Sequence, residues 1–407
     1  MGSHGNAILG VYGDNALVTL GAPRKSIGDR LRDRFFRRSP KRFRYGLAEL
    51  GRTLLVRLDI TNRCNMRCFM CPSPASVQSS QPMQNMDPAL FQRIADQVFP
   101  YAAHVALSCA YEPLLHPRLE EILDIASRYN VPEWGMVTNG ALLNERIAEA
   151  MIRCRMTVLS VSVDGATRET YRDIRGVDAF DRVLANARAF QEMKRRTGGQ
   201  LPHLFMNFVL MRRNVGEIVP FLELCRDLGA ADVTFVHVMP RSRENAESLI
   251  HAPDLYEKAY AAAKQFLETA PLRVMLPAPF RPEELAAVDQ PERERRLQQT
   301  RSDDLRAAGG RATSLRVEAA GDDIFCASPW MMLFISPNGD VHPCSHRQND
   351  PPFGNLAATP FEQIWNGSAF LSLRRRLYYH DLEGRCLTCE AQTPNSEPMV
   401  RRPIRLL

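Results

Sequence analysis

Three cysteines lie four and three residues apart in Cys64-Asn65-Met66-Arg67-Cys68-Phe69-Met70-Cys71. Thiols spaced this closely in a chain without a secretory signal read as metal ligands. A structural zinc ion takes four ligands, and a cubane iron–sulfur cluster that only carries electrons takes four thiolates. Three thiolates leave one corner of a metal centre open, and a catalytic centre needs an open corner. The other reading is a zinc ion completed by a distant fourth ligand.

A second set lies near the C-terminus. Cys326, Cys344, Cys386 and Cys389 are separated by 17, 41 and 2 intervening residues. Four thiolates close one cluster with no corner left over, and zinc is the alternative for such a set. His342 and His346 flank Cys344. They line a pocket, hydrogen-bond cluster sulfurs, or simply sit on the surface of a hairpin. Cys154 and Cys225 fall on helical faces and read as core thiols.

These residues need a scaffold. From Leu54 onward, short β-branched apolar runs alternate with amphipathic stretches. The strand candidates are Leu54–Ile60, Val105–Cys109, Trp134–Thr138, Val158–Val163, Leu204–Leu210 and Val233–Val238. The helix candidates are Pro88–Val98, Leu119–Tyr129, Glu145–Cys154, Ala179–Arg195 and Val215–Leu228. This alternation predicts an α/β fold with a parallel sheet, and six units suit a partial (βα)6 barrel. In barrels of this kind the chemistry sits at the carboxyl ends of the strands. The cysteine triplet begins three residues after the first strand and so lies on a loop at that end.

The regular pattern stops after Met239. Residues 241–320 are charged and Ala-rich, with helical runs Asp254–Thr269 and Pro282–Arg306, and read as a helical connector. From Cys326 a hairpin is expected, with Trp330–Ser336 and Val341–Cys344 joined through Asn338-Gly339. A helix over Pro360–Tyr378 then leads to Cys386 and Cys389. The expected division is 1–50, 51–240, 241–320 and 321–407. Within residues 1–50 a hairpin at 7–20 is followed by a basic arm, and residues 1–5 read as a tag remnant.

Several segments together resemble the radical S-adenosylmethionine (SAM) superfamily. They are the CxxxCxxC loop after the first strand, Ser108-Cys109-Ala110-Tyr111-Glu112-Pro113-Leu114-Leu115-His116-Pro117, Thr138-Asn139-Gly140, and Ser162-Val163-Asp164-Gly165 followed by Tyr171 and Ile174-Arg175-Gly176. Cys326 to Cys389 resembles the SPASM/Twitch auxiliary-cluster extension, here a C-terminal β-hairpin plus helix. The resemblance covers roughly 52–240 and 322–392. It implies that Cys64, Cys68 and Cys71 hold a [4Fe-4S] cluster whose fourth iron binds SAM. It further implies that Glu112, Asn139, Ser162 and Arg175 contact SAM, and that Cys326, Cys344, Cys386 and Cys389 hold a second [4Fe-4S] cluster. An equally plain reading has Asp164 and Arg175 bracing the fourth βα turn, and Asn139 serving turn chemistry.

The family usually has glycines where Cys109, Ala110 and Tyr111 stand. Cys109 and Tyr111 are therefore candidate hydrogen donors to a substrate radical, with a buried small residue the plainer reading of Cys109. The expected activity is reductive cleavage of SAM, hydrogen abstraction from a small polar substrate and net oxidation, with the auxiliary cluster accepting an electron. The alternatives are a redox-neutral epimerase or lyase, a peptide-modifying enzyme, and a noncatalytic metal-binding scaffold. About 50 residues precede the first barrel strand, fewer than the leader-binding domain often found in peptide-modifying relatives. That weighs towards a small-molecule substrate.

Composition limits the remaining possibilities. With 45% hydrophobic and 24% charged residues the chain is ordinary for a globular protein, and it holds no apolar run long enough for a membrane helix. Ten cysteines without a signal region suit a reducing, cytoplasmic compartment. The segment Arg24–Arg44 carries a net +8 of the chain's +6, so the remainder sums to −2. Such an arm is a solvated surface, or it docks phosphates or an acidic flavodoxin or ferredoxin-type electron donor. No nucleic-acid-binding motif frames it, so DNA is not expected.

Overall fold

The computed structural model describes residues 44, 46–71, 82–108, 110–238, 245–270, 272–280, 282, 285, 326, 328–378 and 386. The expected hairpin at 7–20, the basic arm up to Phe43, Cys109, most of the Pro282–Arg306 run and Cys389 lie outside these residues.

Six parallel strands appear in the expected order: β1 Leu54–Leu58, β2 Ala102–Ala106, β3 Glu133–Thr138, β4 Val158–Ser162, β5 His203–Leu210 and β6 Asp232–His237. The helices between them are α1 Pro88–Val98, α2 Leu119–Ser127, α3 Glu145–Arg153, α4 Arg168–Arg175, α5 Phe180–Arg196 and α6 Ile218–Asp227. Each amphipathic stretch forms its helix because its apolar residues recur on one face. In α1 these are Phe91, Ile94, Ala95 and Val98, all buried, and the Asp87 carboxylate caps the helix by accepting from the Ala89 N–H at 2.8 Å. β2 begins three residues earlier than the apolar run suggested, because parallel pairing of His104 with Glu133 outweighs the weak strand preference of Ala102 and Ala103.

The sheet does not stop at six strands. After α7 (Pro253–Leu267), in the segment expected to be helical connector, β7 (Val274–Met275) pairs parallel to β6. At the other edge, the C-terminal hairpin is continuous with the barrel sheet. A single helical turn, α8 (Ser328–Met331), leads into β8 (Met332–Ile335), which runs parallel to β1. The antiparallel strands β9 (Asp340–His342) and β10 (Gly354–Asn355) follow. Among the described residues the sheet has ten strands in the order β10-β9-β8-β1-β2-β3-β4-β5-β6-β7.

The expected helix Pro360–Tyr378 is two helices, α9 (Phe361–Trp365) and α10 (Ser368–Tyr378), interrupted at Asn366-Gly367. The fully buried Arg374 ties them to α8, the turn that leads into β8. Its guanidinium donates to the carbonyls of Pro329 (2.9 Å) and Trp365 (2.8 Å) and stacks 4.3 Å from the Trp365 ring.

Strand alternation separates two faces. Along β5, Leu204, Met206, Phe208 and Leu210 join the core under the helices, with Phe208 4.8 Å from Phe221 of α6. The opposite face carries a polar row in register, Ser162–Asn207–Thr234. A second row on that face runs His342–Phe334–Arg57–Ala106–Gly135–Val158–His203 across β9, β8 and β1 to β5. This inner face carries hydroxyl, amide, guanidinium and imidazole groups among apolar side chains that include Phe205 and Phe334.

Candidate active site

The cysteine loop leaves β1 at the carboxyl ends of the strands and is held on both sides. Before the first cysteine, the Glu112 N–H donates to the Arg63 carbonyl at 2.9 Å, and the Asn62 side chain bonds Pro82 and Gln84 at 2.9 Å each. After it, the N–H groups of Arg67 and Phe69 donate to the carbonyls of Arg175 (3.0 Å) and Ile174 (2.8 Å) at the end of α4. Gly176, at φ +68, closes that helix against Arg67; a Cβ there would lie 2.7 Å from the Arg67 carbonyl oxygen. Cys64, Cys68 and Cys71 thus project from a backbone fixed by two other βα units.

All three cysteines are half-buried. Burial raises the Cys64 thiol to about 12, against a backbone hydrogen bond at Met66, and the nearby Glu112, Cys68 and Cys71 raise it further. A thiol held protonated in this way becomes a thiolate when a metal cation replaces its proton, and three thiol donors on one short loop fit an iron–sulfur cluster. Among the described residues, no group of three or more His, Cys, Asp or Glu side chains surrounds a single ion position. A cubane asks for something different, one thiolate on each of three irons.

Glu112 is 2% exposed, and its carboxylate accepts from Thr138 Oγ1 (2.6 Å), the Asn139 N–H (2.8 Å) and the Leu114 N–H (3.1 Å). A carboxylate has about four acceptor directions, so about one remains. Burial lifts its pKa to about 6 despite those three donors. Asn139 accepts from the Ala141 N–H at 3.0 Å, which is its turn role, and its Nδ2 donates to Asn65 in the cysteine loop at 2.7 Å. The Tyr111 side chain is half-buried, and its carbonyl accepts from Ser108 Oγ at 2.8 Å.

The turn after β4 is built around Asp164, a fully buried residue at φ +65. Its carboxylate accepts from the Val209 N–H at 2.7 Å and pairs with the buried Arg175 guanidinium at 2.7 Å. Arg175 also reaches the Val163 carbonyl (3.3 Å) and the Cys68 sulfur (3.6 Å). The structure therefore gives Arg175 the bracing role read from the sequence and brings it into contact with the cysteine triplet. Ser162 lies one strand away from Asn207, whose Nδ2 is 3.4 Å from Ser162 Oγ and 2.7 Å from Ser160 Oγ.

Sequence reasoning missed Asn214. Fully buried, it accepts from the Met211 N–H (2.7 Å) and donates to the carbonyls of Asp164 (2.9 Å) and Val209 (2.8 Å), locking the turn that carries Arg175. Its only signal was an asparagine just after a strand, which looks like any loop residue. Asn65 and Thr138 stood in quoted segments, but their bonds to Asn139 and Glu112 were missed because those partners are distant in sequence.

In the C-terminal set, Cys326 precedes α8, and Cys344 starts the helical turn Ser345–Arg347 that follows β9. Cys326, Cys344 and Cys386 are all half-buried. Arg347 joins the latter two, with its N–H on the Cys344 carbonyl (3.2 Å) and its Nη1 3.9 Å from the Cys386 sulfur. A guanidinium directed at one sulfur from a turn started by another suits a thiolate cluster. The surface reading of His342 is wrong. It is 3% exposed, packs 6.0 Å from the Phe334 ring on the inner face, and its pKa is lowered by burial. Register hides it, because β8 adds to β1 and turns this side of the hairpin inward. His346 is exposed.

An open parallel sheet with a thiolate triplet held above the first strand, and a second thiolate set on an added hairpin, define an iron–sulfur enzyme of the radical SAM type. Residues 58–225 match the model of the radical SAM superfamily, and residues 326–390 match SPASM, an iron–sulfur cluster-binding domain. The chain belongs to the radical SAM superfamily and carries a SPASM domain; it is a radical SAM enzyme, and such enzymes require SAM, iron–sulfur clusters and a reductant. It is 26% identical over 342 residues to the AdoMet-dependent heme synthase of Methanosarcina barkeri, spanning 83% of this chain and 88% of that protein. With a probable GTP 3',8-cyclase of Saccharolobus islandicus it shares 28% identity over 185 residues, 46% of this chain and 57% of that protein. In fold it is similar to Streptococcus suis SuiB bound to S-adenosylmethionine (TM-score 0.57, 15% identity, 79% of this chain and 68% of that one). It is also similar to native anSMEcpe with bound AdoMet (TM-score 0.56, 15% identity, 83% and 87%). Among the described residues no helix is long and apolar enough to cross a membrane.

Proposed function

We propose that this enzyme oxidises a small polar substrate by SAM-dependent hydrogen abstraction. Cys64, Cys68 and Cys71 hold the SAM-binding [4Fe-4S] cluster, and Cys326, Cys344, Cys386 and Cys389 hold an auxiliary one. The chemistry such a set supplies when loaded is reductive cleavage of SAM to a 5′-deoxyadenosyl radical and one-electron acceptance at the auxiliary cluster. The observation that carries the reading is the double fixing of the cysteine loop, by Glu112 on one side and by the end of α4 on the other.

The chain's own groups then have distinct roles. Glu112 offers its remaining acceptor direction to the SAM ammonium, in a charge-assisted hydrogen bond. Arg175, neutralised in part by Asp164, presents a guanidinium beside Cys68, where the SAM carboxylate would lie. Asn139 and Ser162 are the neighbouring polar groups for the ribose or carboxylate. The inner-face row of Ser162, Asn207 and Thr234, with Arg57 and His342 on the same face two rows away, supports a hydroxylated or otherwise polar substrate. Oxidative use of the second site is supported by its place in the same sheet as the first, through β8 on β1. A flavodoxin or ferredoxin-type protein in the cytoplasm supplies the reducing electron. Hydrogen return by Cys109 or Tyr111 belongs to the redox-neutral alternative, and there Cys109→Ala stops turnover while leaving SAM cleavage intact.

The test is anaerobic reconstitution, iron and sulfide analysis, and assay of 5′-deoxyadenosine from SAM with dithionite. Wild type should hold about eight irons. The Cys64→Ala/Cys68→Ala/Cys71→Ala chain should hold about four and form no deoxyadenosine. About four irons in wild type would remove the electron-acceptor argument. Zinc without iron would end the enzyme reading.

A further inference from the structure

Arg347 has an environment that its surface position in a hairpin would not require. It ends the single helical turn Ser345–Arg347 after β9. Its Nε is fixed by Asp350 at 2.7 Å, its guanidinium lies 5.6 Å from the Phe353 ring centre, and its side chain is 18% exposed. Held this way, it directs Nη1 at the Cys386 sulfur, 3.9 Å away, while its backbone N–H bonds the Cys344 carbonyl. The aspartate takes Nε and the sulfur faces Nη1, with the ring near the guanidinium carbon. A planar cation clamped by a carboxylate and an aromatic ring is positioned rather than merely present. The first cysteine set has a counterpart, with Arg175 held by Asp164 against Cys68.

We propose that Arg347 is a positioning residue that raises the reduction potential of the auxiliary cluster, making that cluster a ready electron acceptor. The inference rests on the reading that Cys326, Cys344, Cys386 and Cys389 hold a cluster. The half-reaction is one electron into the four-thiolate cluster, which gains one negative charge; no bond or proton changes at Arg347. A fixed cation in contact with a ligand sulfur stabilises the more negative, reduced form more than the oxidised form. An N–H directed at sulfur acts in the same sense. Because the side chain is mostly buried, solvent screens this effect only in part. The aspartate offsets some of the charge but leaves the N–H on sulfur intact.

The experiment uses the full-length Cys64→Ala/Cys68→Ala/Cys71→Ala chain, reconstituted so that only the auxiliary site is loaded. This chain is compared with the same chain carrying Arg347→Gln or Arg347→Lys. Each is titrated with dithionite in the presence of redox mediators, with the reduced cluster followed by electron paramagnetic resonance and iron and sulfide measured in parallel. At equal loading, Arg347→Gln should lower the ratio of reduced to oxidised cluster at a given solution potential by about tenfold, or 59 mV for a one-electron couple. Arg347→Lys should recover part of that loss. An unchanged midpoint at full loading overturns the proposal. If both variants fail to hold iron, Arg347 is a structural brace and the proposal is equally overturned. If the parent chain holds no iron, the auxiliary-cluster reading itself has failed, before any effect of Arg347 is measured.

Discussion

Replacing Gly176 by alanine asks whether α4 sets the position of the cysteine loop. Gly176 adopts φ +68, where an L side chain is strained, and its Cβ would meet the Arg67 carbonyl oxygen at 2.7 Å, Cβ at 2.9 Å and carbonyl carbon at 3.1 Å. These are backbone and Cβ atoms of the cysteine loop, so relief requires the loop itself to move. Gly198 makes the control. Its φ is +65, nearly the same, but nothing lies within 4 Å of a Cβ there. Gly198→Ala therefore carries only the left-handed backbone cost, about 1–2 kcal/mol. Gly176→Ala adds an overpacking cost of about 1–3 kcal/mol, for a total of about 2–5 kcal/mol.

Urea unfolding of the metal-free chains reads the stability difference. Iron content and the paramagnetic spectrum of the reduced, reconstituted chains read the effect on the site. Gly198→Ala should keep the wild-type iron content and spectrum. Gly176→Ala should lose iron at the first site or show a changed spectrum with SAM bound. Equal stability losses with equal, normal iron loading would refute the idea that α4 positions the cysteines.

Three further outcomes are expected. Asp164→Asn keeps a residue type that tolerates φ +65 but strands the buried Arg175 charge, and should destabilise the metal-free chain by about 3–5 kcal/mol. Asp164→Asn/Arg175→Met should recover much of that loss in the same urea assay. Glu112 has a folded pKa near 6 against an ordinary 4.5. Between those values the folded chain binds more protons than the unfolded one, so stability falls as pH rises, by about 2 kcal/mol in all. Glu112→Gln should flatten that part of the pH profile, and a slope retained in the variant would assign it to another group. Asn214→Ala should cost about 1–3 kcal/mol for each buried group left without a partner, and should speed hydrogen exchange at the Met211 amide, its bonded donor.

Much of this protein is legible in its sequence, because the signals are local. Period-2 and period-3.6 patterns located six strands and five of the six helices between them to within a few residues, α1 at Pro88–Val98 without error, while the eight-residue α4 left no pattern of its own. The CxxxCxxC loop needed only its own spacing and the strand before it. The four C-terminal cysteines were read as one set from their number and the hairpin turn, and the match of residues 326–390 to an iron–sulfur cluster-binding domain covers that stretch. Asp164, Gly165 and Arg175 stood out because their segments resemble those of a known family, with bracing of the fourth βα turn as the plainer reading. Each of these features leaves its mark within a short stretch of chain, so the residue types and their spacing show it even where distant segments hold it in place.

What the tertiary structure decided is everything that joins distant segments. β7 is two residues long, too short to leave a pattern, and exists because β6 offers it an edge. The pairing of β8 with β1 joins residues nearly three hundred positions apart and makes the second cysteine region continuous with the barrel. That pairing turned His342 inward, although its sequence neighbours read as an exposed hairpin. Glu112 was legible as an acid before a proline, but its three donors come from Leu114 and from Thr138 and Asn139 at the end of β3. Asn214 was silent, because a buried amide bonding three backbone groups has the same letter as an amide in a loop. Spacing along the chain identifies which residues can do chemistry; the register of one strand against another decides which of them meet.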